Sequence, residues 1–174
     1  SKNNLLIFSI ISFIIPGFIW CLIKLDSPGT GLFYQKRVGL NGKEFMCYKF
    51  RTMKTGTPEL GTHNLSDKSL TRIGKFLRKT KFDELPQAYN ILRGELSLVG
   101  PRPCLRSQSE LINERAKRGI FDIMPGITGW AQVHDIDMKF PIKLAKKDEE
   151  YLYLRSIFLD IKILVNTFLG KGFG

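Results

Sequence analysis

Hydrophobic and polar positions divide the chain into regions of different period. From Leu5 to Ile23 the sequence LLIFSIISFIIPGFIWCLI carries no charge and is flanked by Lys2 and Lys24. As a straight helix this ~19-residue run reaches ~28 Å, just enough to cross a hydrocarbon core. Pro16-Gly17 interrupts it near the middle. Proline removes an amide donor and crowds the preceding turn, and glycine loosens the backbone further. Three readings therefore stand open: a kinked spanning helix, a core helix of the folded domain, or a broken, re-entrant helix that enters and leaves one leaflet. Ser12, one turn before Pro16, is placed to bond a freed carbonyl. No small-x-small cleavage site follows, so the run does not read as a secretory signal. The rest of the chain has no second apolar run of that length.

After the turn cluster Ser27-Pro28-Gly29-Thr30-Gly31 the period becomes two. Leu32–Val38 and Lys43–Met53 read as strands joined around Asn41-Gly42, a strong hairpin signal. In the second run Met46, Tyr48, Phe50 and Thr52 alternate with Phe45, Cys47, Lys49 and Arg51, so one face packs and the other grows basic. Residues 54–67 are polar and Gly-rich and read as a surface loop. Over Lys68–Lys81 the period is helical. Leu70, Ile73, Phe76 and Leu77 form a stripe among Arg72, Lys75, Arg78, Lys79 and Lys81, with no acidic residue. Such a helix suits an anionic membrane interface, and the neighbouring apolar segment favours that over a solvated basic face.

Further helices are expected over Asp83–Leu92, with Asp83 as N-cap, Glu84 and Pro86 in the first turn and Arg93-Gly94 as the stop. Another starts at Ser107, where Ser107 and Glu110 have capping-box spacing, and ends near Gly119. Pro141 opens a helix to Leu154, and Ser156 caps a last, strongly apolar one. The fold class is α+β, mostly helical, with a small β-hairpin and interfacial amphipathic helices.

Composition changes the picture in one respect. The 174 residues carry a net charge of +11 with 43% hydrophobic residues. That apolar fraction excludes a disordered basic tail and suits a domain with a real core. Three cysteines make no disulfide framework and fit a reducing compartment. The charge invites an anionic partner: nucleic acid, acidic lipid or a phosphorylated substrate.

Three segments are candidates for chemistry. Asp83-Glu84 sets two carboxylates about 100° apart around a helix start, so they suit divided roles. One can attack and the other can hold a divalent cation, since an ionised carboxylate is a competent nucleophile toward phosphorus once a metal neutralises the phosphate oxygens. A capping aspartate with a first-turn glutamate is the plainer reading. Val99-Gly100-Pro101-Arg102-Pro103 holds one guanidinium on a stiff loop suited to bidentate phosphate contact, or is a turn with a surface arginine. Pro125-Gly126-Ile127-Thr128-Gly129-Trp130 supplies an aromatic for a base platform or for packing. His63, His134 and the cysteines make no zinc spacing, and no Walker loop, dinucleotide fingerprint or RNA-binding signature is present. Asp135-Ile136-Asp137 has the D-x-D spacing of Leloir-type glycosyltransferases, a weak match by itself.

In order along the chain, the proline-broken apolar segment, Tyr48-Lys49-Phe50-Arg51-Thr52-Met53, Asp83-Glu84-Leu85-Pro86-Gln87, the run from Asn90 to Pro103, and Pro125 to Val133 resemble the bacterial monotopic phosphoglycosyl transferases. These form the bacterial sugar transferase family, and this chain is similar to its short form with a single hydrophobic segment. The resemblance implies transfer of a phosphosugar from a UDP-sugar to polyprenol phosphate, releasing UMP. The step lies at the cytoplasmic face of the bacterial inner membrane and opens glycoconjugate and polysaccharide assembly. It implies Asp83 as the nucleophile, through a covalent phosphosugar, and Glu84 as the Mg²⁺ ligand. It puts Arg102, between Pro101 and Pro103, on substrate phosphate, with Lys49, Arg51 and Asp160 as further phosphate or nucleotide contacts.

It also favours the re-entrant reading, with Pro16 and Gly17 at the bend and Arg72, Lys75 and Arg78 at the interface. The implied division is a membrane helix over 1–25 and a catalytic domain over 26–174. The partners expected are the UDP-sugar, polyprenol phosphate and phospholipid, and nucleic acid drops out. The chain departs from many relatives at Met124, where they have arginine, and at His134-Asp135-Ile136-Asp137, where they have Asn-Gly-Arg. An N-acetylated amino sugar is the expected donor sugar. The alternative is a non-catalytic, basic, membrane-anchored lipid-binding or scaffold domain.

Overall fold

The computed structural model describes residues 2–57 and 69–171, with side chains from residue 14 onward. The chain forms two compact units, Ser1–Tyr34 with Tyr48–Pro86, and Gln35–Cys47 with Gln87–Gly174.

In the first unit, α1 (Lys2–Asp26) runs as one helix with Pro16 inside it. The break that Pro16-Gly17 predicts is therefore not an interruption of the helix. Proline forfeits one backbone bond, and the turns on either side continue. The expectation for the Ser12 side chain lies outside the described residues, as do His63 and most of the 54–67 loop. Among the described residues no helix is long and apolar enough to cross a membrane. Ile19 and Ile23, one turn apart on α1, pack with Phe50, Leu77 and Ile73 into the core of this unit. Other apolar residues of α1 remain exposed: Ile14, Ile15, Phe18 and Leu25.

A two-stranded sheet joins β1 (Leu32–Val38) to β2 (Glu44–Phe50). Asn41 and Gly42 both take positive φ in the connection, which is why that dipeptide marks it. Strand β2 stops at Phe50, short of the expected Met53.

Helix α2 is Arg72–Thr80, not Lys68–Lys81. Leu70 is held instead in an isolated bridge to Met53, and Lys54 N–H bonds Ser69 O at 2.9 Å. Thr71 is the N-cap, its hydroxyl accepting from Gly74 N–H. Asp26 Oδ2 accepts from Ile73 N–H at 2.9 Å, so the end of α1 caps the start of α2. Of the expected stripe, Leu77 is buried but Phe76 is 56% exposed.

The helix expected over Asp83–Leu92 is split. Lys81 takes a left-handed conformation, a 3-10 turn follows over Phe82–Glu84, and α3 is only Gln87–Leu92. Pro86 has no amide with which to join the two.

The second unit holds α3, β3 (Ser97–Val99), α4 (Ser109–Lys117), β4 (Gly126–Thr128), α5 (Pro141–Leu154) and α6 (Ile157–Phe168). Strands β3 and β4 pair in parallel, Ser97 with Gly126 and Val99 with Thr128. The Ser107 capping box does not form. Gln108 is the N-cap of α4, and its Oε1 turns back to accept from Leu105 N–H at 2.8 Å. Ser156 does cap α6, accepting from Leu159 N–H at 3.2 Å. One core gathers Val38, Cys104, Leu111, Ala131, Leu144 and Ala145, and another gathers Val99, Ile123, Val133, Tyr151 and Ile163.

Candidate functional site

The acidic pair sits on the 3-10 turn that closes the first unit. The left-handed Lys81 reverses the chain after α2, and Leu85 N–H bonds Phe82 O at 3.3 Å. This tight turn directs neighbouring side chains differently. Asp83 is buried at 8% exposure, while Phe82 and Leu85 on either side are 42% and 39% exposed. The Phe82 ring meets Phe76 edge-on at 6.5 Å. An apolar surface thus borders the two carboxylates.

Lys49, on β2, places Nζ 2.6 Å from Glu84 Oε1. Both side chains are largely shielded, at 19% and 10% exposure. In this poorly hydrated setting the attraction between the ammonium and the carboxylate is stronger than it would be in water.

A divalent cation is chemically compatible with Glu84. Mg²⁺ is commonly held by one or two carboxylates plus substrate phosphates, keeping water on its other positions. Among the described residues no group of three or more His, Cys, Asp and Glu could hold a metal by itself.

Arg51 does something else here. Its Nη1 and Nη2 bond the carbonyls of Pro28 at 2.5 Å and Ser27 at 2.7 Å. At 8% exposure it fixes the chain leaving α1. Arg72 and Lys75 are exposed on α2. Arg78 turns inward, its Nε 3.0 Å from Thr52 Oγ1.

In the second unit, the Arg102 loop is held along its backbone. Four successive carbonyls are engaged: Pro101 by Gly126 N–H (3.0 Å), Arg102 by Arg115 Nη1 (2.8 Å), Pro103 by Arg37 Nη1 (3.3 Å) and Cys104 by Val38 N–H (2.9 Å). Glycine is required where this loop meets β4. A Cβ on Gly100 would lie 2.4 Å from Met124 O, and one on Gly126 would lie 2.1 Å from Gly100 N.

Asp160, on α6, accepts from the Tyr151 hydroxyl at 2.7 Å. Burial, followed by this bond to a carboxylate, raises the Tyr151 phenol above its ordinary range. Both residues line a cavity of about 300 Å³ with Ser97, Met124, Arg155 and Ser156. Tyr151, Arg155 and Ser156 were not legible as site residues. They meet Asp160 only because the chain turns between α5 and α6.

Trp130 is flanked by the Lys147 ammonium, 5.3 Å from its ring, and by the His134 ring at 4.1 Å. Its Nε1 bonds Glu150 at 3.2 Å, so its contacts are protein-internal. Of the D-x-D pair, Asp137 Oδ1 accepts from Lys139 N–H at 2.9 Å, and Asp135 ends a 3-10 turn in left-handed conformation.

Comparison with known proteins adds a family. The chain matches the bacterial sugar transferase family over residues 3–171. It is 41% identical over 159 residues to a UDP-glucose:undecaprenyl-phosphate glucose-1-phosphate transferase of Xanthomonas campestris pv. campestris, covering 83% of this chain and 32% of that protein. It is 37% identical over 162 residues to a UDP-N-acetylgalactosamine-undecaprenyl-phosphate N-acetylgalactosaminephosphotransferase of Aeromonas hydrophila, covering 88% and 38%. With the uncharacterized sugar transferase EpsL of Bacillus subtilis (strain 168) it shares 43% over 145 residues, covering 83% and 70%. The chain thus spans about a third of the first two relatives.

Proposed function

The chain belongs to the bacterial sugar transferase family, and we propose that it transfers a phosphosugar from a UDP-sugar to polyprenol phosphate with release of UMP. The observation that carries this is the Asp83-Glu84 turn, with Glu84 paired to Lys49 at 2.6 Å and an exposed Phe82 and Leu85 alongside. The apolar border suits the headgroup depth at which a lipid-borne phosphate presents itself.

In this reading a carboxylate oxygen of Asp83 attacks the sugar-bearing phosphorus of the donor. The bond from that phosphorus to the UMP oxygen breaks, and UMP leaves with the electron pair. A phosphate oxygen of the polyprenol phosphate then attacks the same phosphorus and frees Asp83, giving a polyprenol diphosphosugar. Bound Mg²⁺, with Glu84 as its protein ligand, supplies charge neutralisation at the phosphate oxygens. Lys49 orients Glu84 through its ammonium. Arg102 is assigned to donor phosphate, as a guanidinium on a preorganised backbone. Asp160 and its cavity are assigned to the nucleotide-sugar.

The names of the relatives divide between glucose and N-acetylgalactosamine, so the donor is read as a UDP-hexose, and the N-acetylated amino sugar is one arm of the test. The exposed apolar residues of α1 and the basic Arg72 and Lys75 support a monotopic attachment to the cytoplasmic face of the inner membrane, with α1 re-entrant.

The test is incubation with a panel of UDP-sugars and Mg²⁺, followed by intact mass and peptide mapping. A phosphosugar adduct on Asp83 is expected, as is UMP release that requires polyprenol phosphate for turnover. Full activity of Asp83→Ala, with no adduct trapped in the parent chain, rejects the covalent mechanism. Release of UDP in place of UMP rejects phosphosugar transfer altogether.

A further inference from the structure

Arg115 and Asp148 form a buried ion pair inside the second unit. Their side chains are 2% and 3% exposed, with Arg115 Nη2 2.7 Å from Asp148 Oδ2. Nε of the same guanidinium bonds the same oxygen at 3.0 Å. Nη1 points the other way, to the main-chain carbonyl of Arg102 at 2.8 Å. One planar group therefore links α5, through Asp148, to the backbone of the loop that carries Arg102. A buried pair contributes little net stability compared with apolar residues of the same volume, because desolvation offsets the attraction. Its geometry suits a different job.

The loop needs one. Pro101 and Pro103 have no amide, so the segment cannot be pinned by its own donors on either side of Arg102. It is pinned by its carbonyls instead, and the Arg102 carbonyl depends on Arg115. Arg37 holds the Pro103 carbonyl at a longer 3.3 Å, and its Nη2 is engaged by Gln35 at 2.9 Å. Arg115 is thus the buried member of the two arginines that set the loop.

We propose that the Arg115–Asp148 pair is a positioning device that fixes the Arg102 backbone so that its guanidinium meets the donor phosphate preorganised. This rests on the reading of Arg102 as a donor-phosphate contact. Lysine at 115 keeps a charge for Asp148 but has no second planar arm for the Arg102 carbonyl, so the pair is specific for arginine.

The experiment uses the full chain with Mg²⁺ and the UDP-sugar that the panel identifies. It compares Arg115→Lys, the double variant Arg115→Met/Asp148→Leu, and Arg102→Ala. The double variant replaces the pair by apolar side chains of similar volume, which keeps the fold while removing the bond to the loop. Three quantities are read: donor KM against kcat, thermal melting, and hydrogen exchange at the Arg102 and Cys104 amides.

Expected is a donor KM raised about tenfold in Arg115→Lys and in the double variant, with a smaller change in kcat, as for a misplaced binding group. Melting is expected to stay near the parent value and exchange at the two amides to be faster. Unchanged exchange and unchanged KM in folded variants overturn the proposal. Arg102→Ala separates the two ideas. If it leaves donor KM unaltered, the phosphate reading of Arg102 falls, while exchange in the Arg115 variants still decides the positioning. If the double variant does not fold, KM and exchange in Arg115→Lys decide between the same two outcomes.

Discussion

Lys49 Nζ and Glu84 Oε1 stand 2.6 Å apart, which ties the end of β2 to the turn carrying the acidic pair. The contact fixes the orientation of Glu84 and matches its charge in a shielded place. Lys49→Met is expected to lower UMP release by ~10²-fold, the scale seen when one electrostatic group is removed from a site. Loss of a charged hydrogen bond is expected to cost about 1–3 kcal/mol of stability. Lys49→Arg should recover part of both, because the positive charge stays within reach. A Lys49→Met enzyme with parental turnover would remove Lys49 from the site.

The glycines of the first unit give a contrast in sign. A Cβ on Gly74 would lie 2.0 Å from the Thr52 carbonyl oxygen, a backbone atom with nowhere to go. Gly74→Ala is expected to destabilise by at least ~1–3 kcal/mol, by pushing α2 off Thr52 and straining the Arg78–Thr52 bond. A Cβ on Gly17 meets nothing within 4 Å. Gly17→Ala removes backbone freedom inside a helix and is expected to stabilise by ~0.5–1 kcal/mol. Melting of both variants in the same detergent checks the opposed signs.

Local chemistry was readable where it was self-contained. Pro141 opening α5 and Ser156 capping α6 act within a turn of their own position, and both elements stand where that chemistry puts them. The parallel pair Ser97–Val99 and Gly126–Thr128 was not readable, since three-residue strands carry no period and their pairing is long-range. The helix start expected at Lys68 failed because Leu70 was claimed by a bridge to Met53. Arg78 read as part of a basic membrane-interface face, yet it turns to Thr52, and Arg51 turns to Ser27 and Pro28. For the candidate site, the residue types at 83, 84 and 102 were visible as chemistry. The Lys49 partner, the four engaged carbonyls of the Arg102 loop and the Tyr151–Asp160 cavity depend on distant segments and were not.

Tyr151 provides a pH test. Burial, and then its bond to Asp160, raises the phenol above the ordinary value. The folded state therefore keeps a proton that the unfolded state releases near pH ~10. By linkage, the stability from this group is complete below about pH 10 and is lost as pH climbs toward the raised folded value. Parental protein should lose more stability than Tyr151→Phe between about pH 9 and 11. Absorbance of tyrosinate at alkaline pH should show one tyrosine that ionises only as the fold is lost. Equal slopes for the two proteins would contradict the assignment.

The course of α1 is open to a direct labelling test. The helix runs 25 residues from Lys2 to Asp26, about 37 Å at the usual rise. Three features argue that both ends lie on one face. Lys2 and Lys24 are both cations, and each favours the anionic cytoplasmic surface. Pro16 leaves a carbonyl one turn back without its bond, which is where helices bend sharply. The exit is also tied down, since Asp26 caps α2 through Ile73 and Arg51 grips Ser27 and Pro28. Cysteines at Ser1 and Pro28 report the two ends without disturbing that cap. Cys21 is exposed and is first replaced by serine, whereas Cys47 and Cys104 are buried. In sealed vesicles of one orientation, an impermeant maleimide should label both positions or neither. Pro16→Ala, which restores the missing bond, should shift a fraction of molecules to opposite-side labelling. Opposite-side labelling in the parent chain would make α1 a spanning helix.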